Sequence, residues 1–283
     1  MVCNLILGFF DGVHIGHRAV IQAADSNGKN ILLTLKDSPA IYFGKDKEYI
    51  FSRKKSYNIL KSIGVDEIVE LDFPKFVTMP AENYLEYLVV NFSPSCIITG
   101  FNHTFGFNKV GNSEFLEINT KKFGYKYICV PPKTYDNKIV SSTLIKSYLK
   151  DGNIEIANRL LNNKFSIEGE VIHGAKLGRT IGFPTANIKY PEGIVQIPFG
   201  VYACSVEIEK NSKKAIMNWG MKPTVNNTKE PVAEIHILDF EGDLYGQNIE
   251  VQILNRIRGE IKFSDLDELK SQINKDIKEC LKL

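Results

Sequence analysis

Apolar residues follow two different rhythms along this chain. Up to about residue 160 they come in short continuous runs separated by longer helical stretches. The runs Asn4–Leu7, Asn30–Leu35, Glu67–Leu71, Cys96–Thr99 and Tyr125–Val130 predict strands. Between them His17–Ala24, Ser56–Ile63 and Ala81–Asn91 predict helices, the second closed by Gly64 as a C-terminal cap. Strands separated by helices predict a parallel sheet with helices on its faces, a Rossmann-like arrangement. Ser142–Leu149 and Ile154–Leu161 predict two further helices, split by Asp151-Gly152-Asn153.

After Asn162-Asn163 the rhythm changes to strict alternation. Phe165, Ile167, Gly169 and Val171 share one side of a strand over Phe165–Ile172. Val201–Ile208, Ala215–Trp219, Val232–Leu238 and Asn248–Ile257 follow with only turn residues between them, which predicts an antiparallel barrel. A last helix carries Leu266, Leu269, Ile273, Ile277 and Leu281 as an apolar stripe, with Ser264 and Asp267 as its capping pair. The fold class expected is therefore α/β followed by β, with domains at 1–162 and 163–283.

Composition narrows the function classes. Hydrophobic residues make up 43% and charged residues 24%, as in ordinary soluble domains. A net charge of +2 provides no field for nucleic acid or an acidic membrane, and Arg53-Lys54-Lys55 reads as a solvated helix start. The five cysteines are odd in number and form no Cys-x-x-Cys pair, so they suggest neither a zinc site nor a disulfide framework and point to a reducing cytoplasm. Val2–Phe10 lacks a basic leader and reads as a buried strand, and no apolar run is long enough to span a membrane.

Chemistry concentrates in two places. The first is Gly8-Phe-Phe-Asp11-Gly-Val-His14-Ile-Gly16-His17, which leaves a strand and opens a helix. His14 and His17 lie on one face and can donate to the α-phosphate of ATP as charge builds there. Gly16 is expected to keep the space between them open for the phosphates. A metal site lacks a third ligand, and two structural histidines in a turn remain an alternative. The second is Gly182-Phe-Pro-Thr185-Ala-Asn187, preceded by Gly174, Gly178 and Arg179. The glycines let the backbone approach a phosphate, and Thr185 and Asn187 offer two neutral oxygens suited to Mg²⁺ arriving with a nucleotide. A glycine-rich turn entering a strand, with Pro184 at its edge, accounts for the same letters. Neither a Walker loop nor Gly-x-Gly-x-x-Gly occurs.

His-Ile-Gly-His resembles the nucleotidylyltransferase superfamily, and Ser141-Ser142-Thr143-Leu-Ile-Lys146 resembles the Ser-Ser-Thr-x-Ile-Arg of adenylyltransferases. With Gly-Phe-Pro-Thr-Ala-Asn downstream, the chain resembles the bacterial bifunctional riboflavin kinase/FMN adenylyltransferase (FAD synthetase) family over nearly its whole length. The resemblance implies phosphorylation of riboflavin by MgATP in the barrel and adenylylation of FMN in the N-terminal domain. It implies Glu234 as general base, and Thr185 and Asn187 on MgATP. It also implies Gly8, Asp11, Gly16, Ser142, Thr143, Lys146, Gly174, Gly178 and Arg179 around nucleotide. Asn102, Phe105 and Arg258 are implied to be near flavin, with an ion pair from Arg258 to Glu260 as the alternative.

The second-half motifs match the family pattern, whereas the first half departs from it. Phe9 stands for Asn, Ser38 lies in a usually Pro-x-Pro-like segment, Asn102 lacks a charge, His103 replaces an aromatic, and Lys146 replaces a bidentate Arg. A kinase with a non-catalytic N-terminal module is therefore the second reading, and a flavin-responsive regulator without catalysis the third. The sequence does not specify an oligomeric state.

Overall fold

In the computed structural model, residues 2–25, 27–45, 48–174, 177–209, 211–223 and 229–283 are described. The chain forms two compact units, Met1–Ser142 and Thr143–Leu283.

The first unit is built on five parallel strands: β1 (Cys3–Leu7), β2 (Lys29–Leu35), β3 (Glu67–Leu71), β4 (Cys96–Gly100) and β5 (Lys126–Val130), in the order β3-β2-β1-β4-β5. β1 is buried along its whole length because both sheet faces are covered. Leu5, Leu7, Ile31, Leu33 and Ile97 pack with Leu85 and Leu88 of the helix Ala81–Phe92. Helices α1 (Ile15–Gln22), α2 (Pro39–Tyr42), α3 (Arg53–Ser62), α4 (Phe73–Phe76), α5 (Ala81–Phe92), α6 (Ser113–Ile118) and α7 (Thr120–Phe123) fill the crossovers. Gly64 takes φ 103° just past α3, the left-handed stop its position called for. The strand order reverses at β1: the chain moves to β2 and β3 on one side and then returns to β4 on the other. In open α/β sheets ligands bind at such a switch, here at the carboxyl ends of β1 and β4. The segments after both strands carry the motif residues. A short hairpin of β6 (Thr134–Tyr135) and β7 (Lys138–Ile139) ends the unit.

The second unit holds α8 (Ser142–Lys150), α9 (Ile154–Leu161), β8 (Phe165–Glu170), α10 (Leu177–Thr180), β9 (Ala186–Lys189), β10 (Gly200–Ile208), β11 (Asn211–Pro223), β12 (Lys229–Ile237), β13 (Asn248–Arg258) and α11 (Leu266–Lys282). The six strands run in the order β8-β13-β10-β11-β12-β9, with every pairing antiparallel. Among the described residues the edges meet at one bridge, Ile172 to Asn187, so the barrel is nearly closed. Ile273 and Ile277 of α11 pack over Ala203, Ile216 and Ile257.

The compact units part at Ser142/Thr143, upstream of the change in rhythm at Asn162-Asn163. The reason lies in Asn158, which is buried in α9. Its Nδ2 donates to Ile253 O (2.9 Å) and its Oδ1 accepts from Phe165 N (2.7 Å), fastening the helix to the barrel. The α11 cap also differs from expectation: Asp265 Oδ1 accepts from Glu268 N (2.8 Å), while Glu268 accepts from Ser264 N (2.8 Å). The cap thus sits one residue later than Ser264, and Asp267 contributes to it only through its backbone N–H. The apolar stripe is shorter than expected, because Leu266 and Leu281 are 52% and 53% exposed while Asp276 and Cys280 are buried.

Candidate functional site

In the second unit the motif residues are set by strand register. Glu234 on β12 pairs with Asn187 on β9 and with Asn218 on β11. Directly paired residues share a sheet face, so the three polar side chains form one row. Asn218 Nδ2 donates to Glu234 Oε2 at 3.4 Å. Asn187 is buried, and its Nδ2 reaches Thr185 O at 3.4 Å. Gly174 is required here: a Cβ at that position would lie 2.6 Å from Asn187 Nδ2. Gly178 is required likewise, since its Cβ would meet the Phe183 carbonyl oxygen at 2.3 Å. The glycines therefore give close approach between protein segments. Residues 175 and 176 of this loop lie outside the described residues.

Two clefts flank the Pro184–Thr185 segment. One, of about 380 Å³, is lined by Arg179, Thr185, Asp243 and Tyr245. The other, of about 330 Å³, is lined by Gly178, Thr185, Glu234, His236, Arg258 and the apolar Ile216, Ile261 and Phe263. Thr185 belongs to both, and Glu234 only to the second. The first cleft mixes charged and apolar walls, with Ile235, Ile237 and Leu244 beside Arg179 and Asp243, and the second is the more apolar; sharing one hydroxyl wall, they can seat two ligands side by side.

Arg258 lines the apolar cleft, but its partner is Asp276 of α11 and not Glu260. Its Nη2 lies 2.9 Å from Asp276 Oδ2, and its Nε lies 3.1 Å from each carboxylate oxygen. Gln272 Nε2 donates to the same carboxylate at 2.8 Å. The side chains are only 16% and 2% exposed, so the charges are held away from water as a hydrogen-bonded pair. Asp276 and Gln272 escaped the sequence reading. The available signal was a carboxylate set among the isoleucines of the apolar stripe.

In the first unit Gly8, Asp11, His14, Gly16 and His17 gather at the carboxyl end of β1. His14 is the N-cap of α1: its Nδ1 accepts from Gly16 N (3.2 Å) and His17 N (3.3 Å). The helix thus starts at Ile15, before the expected His17. A Cβ on Gly16 would sit 3.0 Å from His14 Cε1, so this glycine makes room for the imidazole itself. With Nδ1 accepting, the ring proton is on Nε2, the one donor left to face a ligand. The two imidazoles stack 3.6 Å apart. Burial holds the pKa of His14 down to about 4, and burial plus the neighbouring His14 holds that of His17 well below the ordinary range. Both are neutral at pH 7, and their contribution to an anion is a hydrogen-bond dipole. His17 Nδ1 is buried without a partner among the described residues.

Asp11 is buried. Its carboxylate accepts from Ile50 N (2.9 Å), and its carbonyl accepts from Ser142 Oγ (2.9 Å), so these two residues bind the loop together. Val13 is buried at φ 44°, a conformation costly for a β-branched residue, and Arg18 Nε holds its carbonyl at 3.2 Å. After β4, Asn102 is exposed, whereas Phe105 packs on Tyr84 and Phe115 in the core. Phe105 therefore supports the loop instead of facing a ligand. His103 stacks on Phe105, and burial lowers its pKa to about 4. Thr143 and Lys146 lie in the first turns of α8, in the second unit.

The donor set suits a magnesium–nucleotide. Thr185 and Asn187 supply neutral oxygens, and among the described residues no three His, Cys, Asp or Glu side chains cluster to hold a bare cation. Two neutral ligands suffice only if phosphate oxygens complete the shell.

Comparison with known proteins agrees with the two units. The FAD synthetase family model matches residues 2–144, and the riboflavin kinase model matches residues 161–283. A bifunctional riboflavin kinase/FMN adenylyltransferase of Haemophilus influenzae is 36% identical over 97% of this chain and 92% of its own length. One from Bacillus subtilis is 32% identical over 98% and 91%. A crystal structure described as a macrolide-efflux protein from Streptococcus pneumoniae superposes with a TM-score of 0.89 at 31% identity, covering 98% of this chain and 93% of that one. No helix among the described residues of this chain is long and apolar enough to cross a membrane.

Proposed function

The chain belongs to the bifunctional riboflavin kinase/FMN adenylyltransferase family, and from that premise we propose how its residues divide the two reactions. It phosphorylates riboflavin to FMN with ATP and adenylylates FMN to FAD with release of pyrophosphate. Both domains are present, which favours this reading over a kinase with a silent N-terminal module.

In the kinase unit, riboflavin occupies the more apolar cleft and ATP the one that carries Arg179. The observation that carries this assignment is the shared wall: Thr185 lines both clefts, with Glu234 on the apolar side. Thr185 and Asn187 hold the magnesium–nucleotide. Mg²⁺, when bound with ATP, neutralises charge on the β- and γ-phosphates. Glu234 takes the proton of the riboflavin 5′-hydroxyl as that oxygen bonds to the γ-phosphorus. The bond from phosphorus to the bridging oxygen breaks, and ADP leaves. Asn218 orients the carboxylate, and the Arg258–Asp276 pair shapes the flavin cleft.

In the adenylyltransferase unit, His14 donates from Nε2 to the α-phosphate of ATP. An FMN phosphate oxygen attacks that phosphorus, and pyrophosphate departs. Gly8 and Asp11 form the turn that holds the imidazole in place. All five cysteines are free thiols, which supports a cytoplasmic setting.

Chromatography of riboflavin and MgATP incubated with the protein, scoring FMN and FAD separately, tests the reading. Glu234→Gln removes the base and is expected to lower FMN formation by about 10²–10⁴ while nucleotide still binds. Wild-type turnover by this variant would refute the base assignment.

A further inference from the structure

We propose that His236 is a positioning residue for phosphoryl transfer, acting through the Pro184–Thr185 segment. The inference rests on the kinase reading above and adds a residue to it. β9 and β12 pair from Lys189 opposite Val232 to Ala186 opposite Ile235, and there the ladder stops. Thr185, the hydroxyl shared by both clefts, lies one residue beyond the last pair. At that point the His236 side chain continues where the backbone ladder ends: its Nδ1 lies 2.8 Å from Pro184 O. A carbonyl oxygen only accepts, so Nδ1 carries the proton. The Phe183 ring stands edge-on to the imidazole, 5.5 Å between centroids at 86°. Phe183 N in turn donates to Gly178 O at 2.8 Å. Strand β12 thus carries Glu234 and, two residues on and on the same face, the group that fixes the peptide preceding Thr185. One rigid element therefore sets the base and the nucleotide-binding hydroxyl relative to each other.

The bond from Nδ1 is available in both the neutral and the protonated ring, so positioning does not depend on titration of His236. A general base at this place would depend on it. Asn reproduces an Nδ1–H donor at nearly the same distance from the backbone, and Ala does not. The experiment compares wild type, His236→Ala and His236→Asn in the full chain. It measures FMN formation against pH, MgADP affinity by titration calorimetry, and FAD formation from supplied FMN as a fold check.

His236→Ala is expected to weaken MgADP binding and to lower kcat/KM for FMN formation roughly 10- to 100-fold, the scale of a small misplacement of a reacting group. FAD formation from FMN should persist. His236→Asn is expected to recover most of both losses, with a pH profile of wild-type shape. His236→Asn as impaired as His236→Ala, or a profile that loses an ionisation, would overturn the proposal, as would wild-type binding and turnover by His236→Ala. If His236→Ala does not fold, His236→Asn decides alone by the same criteria. Absence of FMN formation by the wild type would instead remove the kinase reading itself.

Discussion

Acid should unfold the first unit through its buried imidazoles. His14 and His103 each have a pKa lowered by burial from 6.5 to about 4. In the unfolded chain both return to about 6.5. Between these values the unfolded state binds protons that the folded state refuses, so stability is full above about pH 6.5 and falls as pH drops toward 4. For one such group the loss from pH 7 to pH 5 is about 2 kcal/mol, and for the two about 4 kcal/mol. That is a large part of the 5–15 kcal/mol typical of a domain. In a unit of this size it corresponds to a fall of roughly 10 °C in melting temperature. Near-ultraviolet circular dichroism melts at half-unit pH steps would follow the transition, with FAD formation identifying the unit that is lost. His103→Phe keeps the stacking surface on Phe105 and removes one titration while His14 and His17 keep theirs, so its melting temperature should drop less far than that of the wild type. A transition indifferent to pH between 6.5 and 5, or the assigned His14 or His103 resonances titrating near 6.5 in the folded protein, would refute the burial argument.

Thr185→Val and Asn187→Leu keep volume and remove an oxygen, so calorimetry should show weakened MgATP binding with an unchanged circular dichroism spectrum. Asp276→Ala leaves Arg258 charged and nearly buried without its partner. A loss of about 3–5 kcal/mol of stability in urea titrations is expected, together with a higher KM for riboflavin. Replacing His14 and His17 together by Ala should abolish FAD while sparing FMN formation, and FAD surviving the double change would remove the N-terminal site from these residues.

The order of elements was legible because each strand of the first unit is an uninterrupted apolar run and each strand of the barrel alternates. The motif residues could be read for the same local reason, as the turn after β1 and the segment entering β9 are contiguous in sequence. What the sequence hid depends on distant packing or on side-chain direction. The partner of Arg258 lies 18 residues away and is fixed only when α11 docks on the barrel. His14 caps its own helix only because Gly16 leaves space for the ring, and the letters His-x-Gly-His do not say which nitrogen points inward. Phe105 resembles a ligand platform in its motif, yet the fold of α5 and α6 around it makes it core. Asn158 looks like an ordinary helical amide until β8 and β13 supply its partners, and for that reason the compact units part earlier than the change in rhythm.

The barrel is joined at a seam, and the seam runs past Asn187, the residue proposed to face the nucleotide. Where the other strand neighbours share ladders, β8 and β9 are joined among the described residues by the one bridge from Ile172 N to Asn187 O, at 2.8 Å. A single exchangeable bond contributes about 1 kcal/mol. Parting the sheet there breaks fewer backbone bonds than parting it at a full ladder, and it frees the β8 side of Asn187 while Asn187 stays paired with Glu234 on β12. Breathing of this kind would link exit of spent nucleotide to a local opening while the rest of the barrel stays zipped. The Ile172 amide, exchanging its proton for deuterium ahead of the neighbouring strand interiors and slowing when nucleotide binds, would be its reporter.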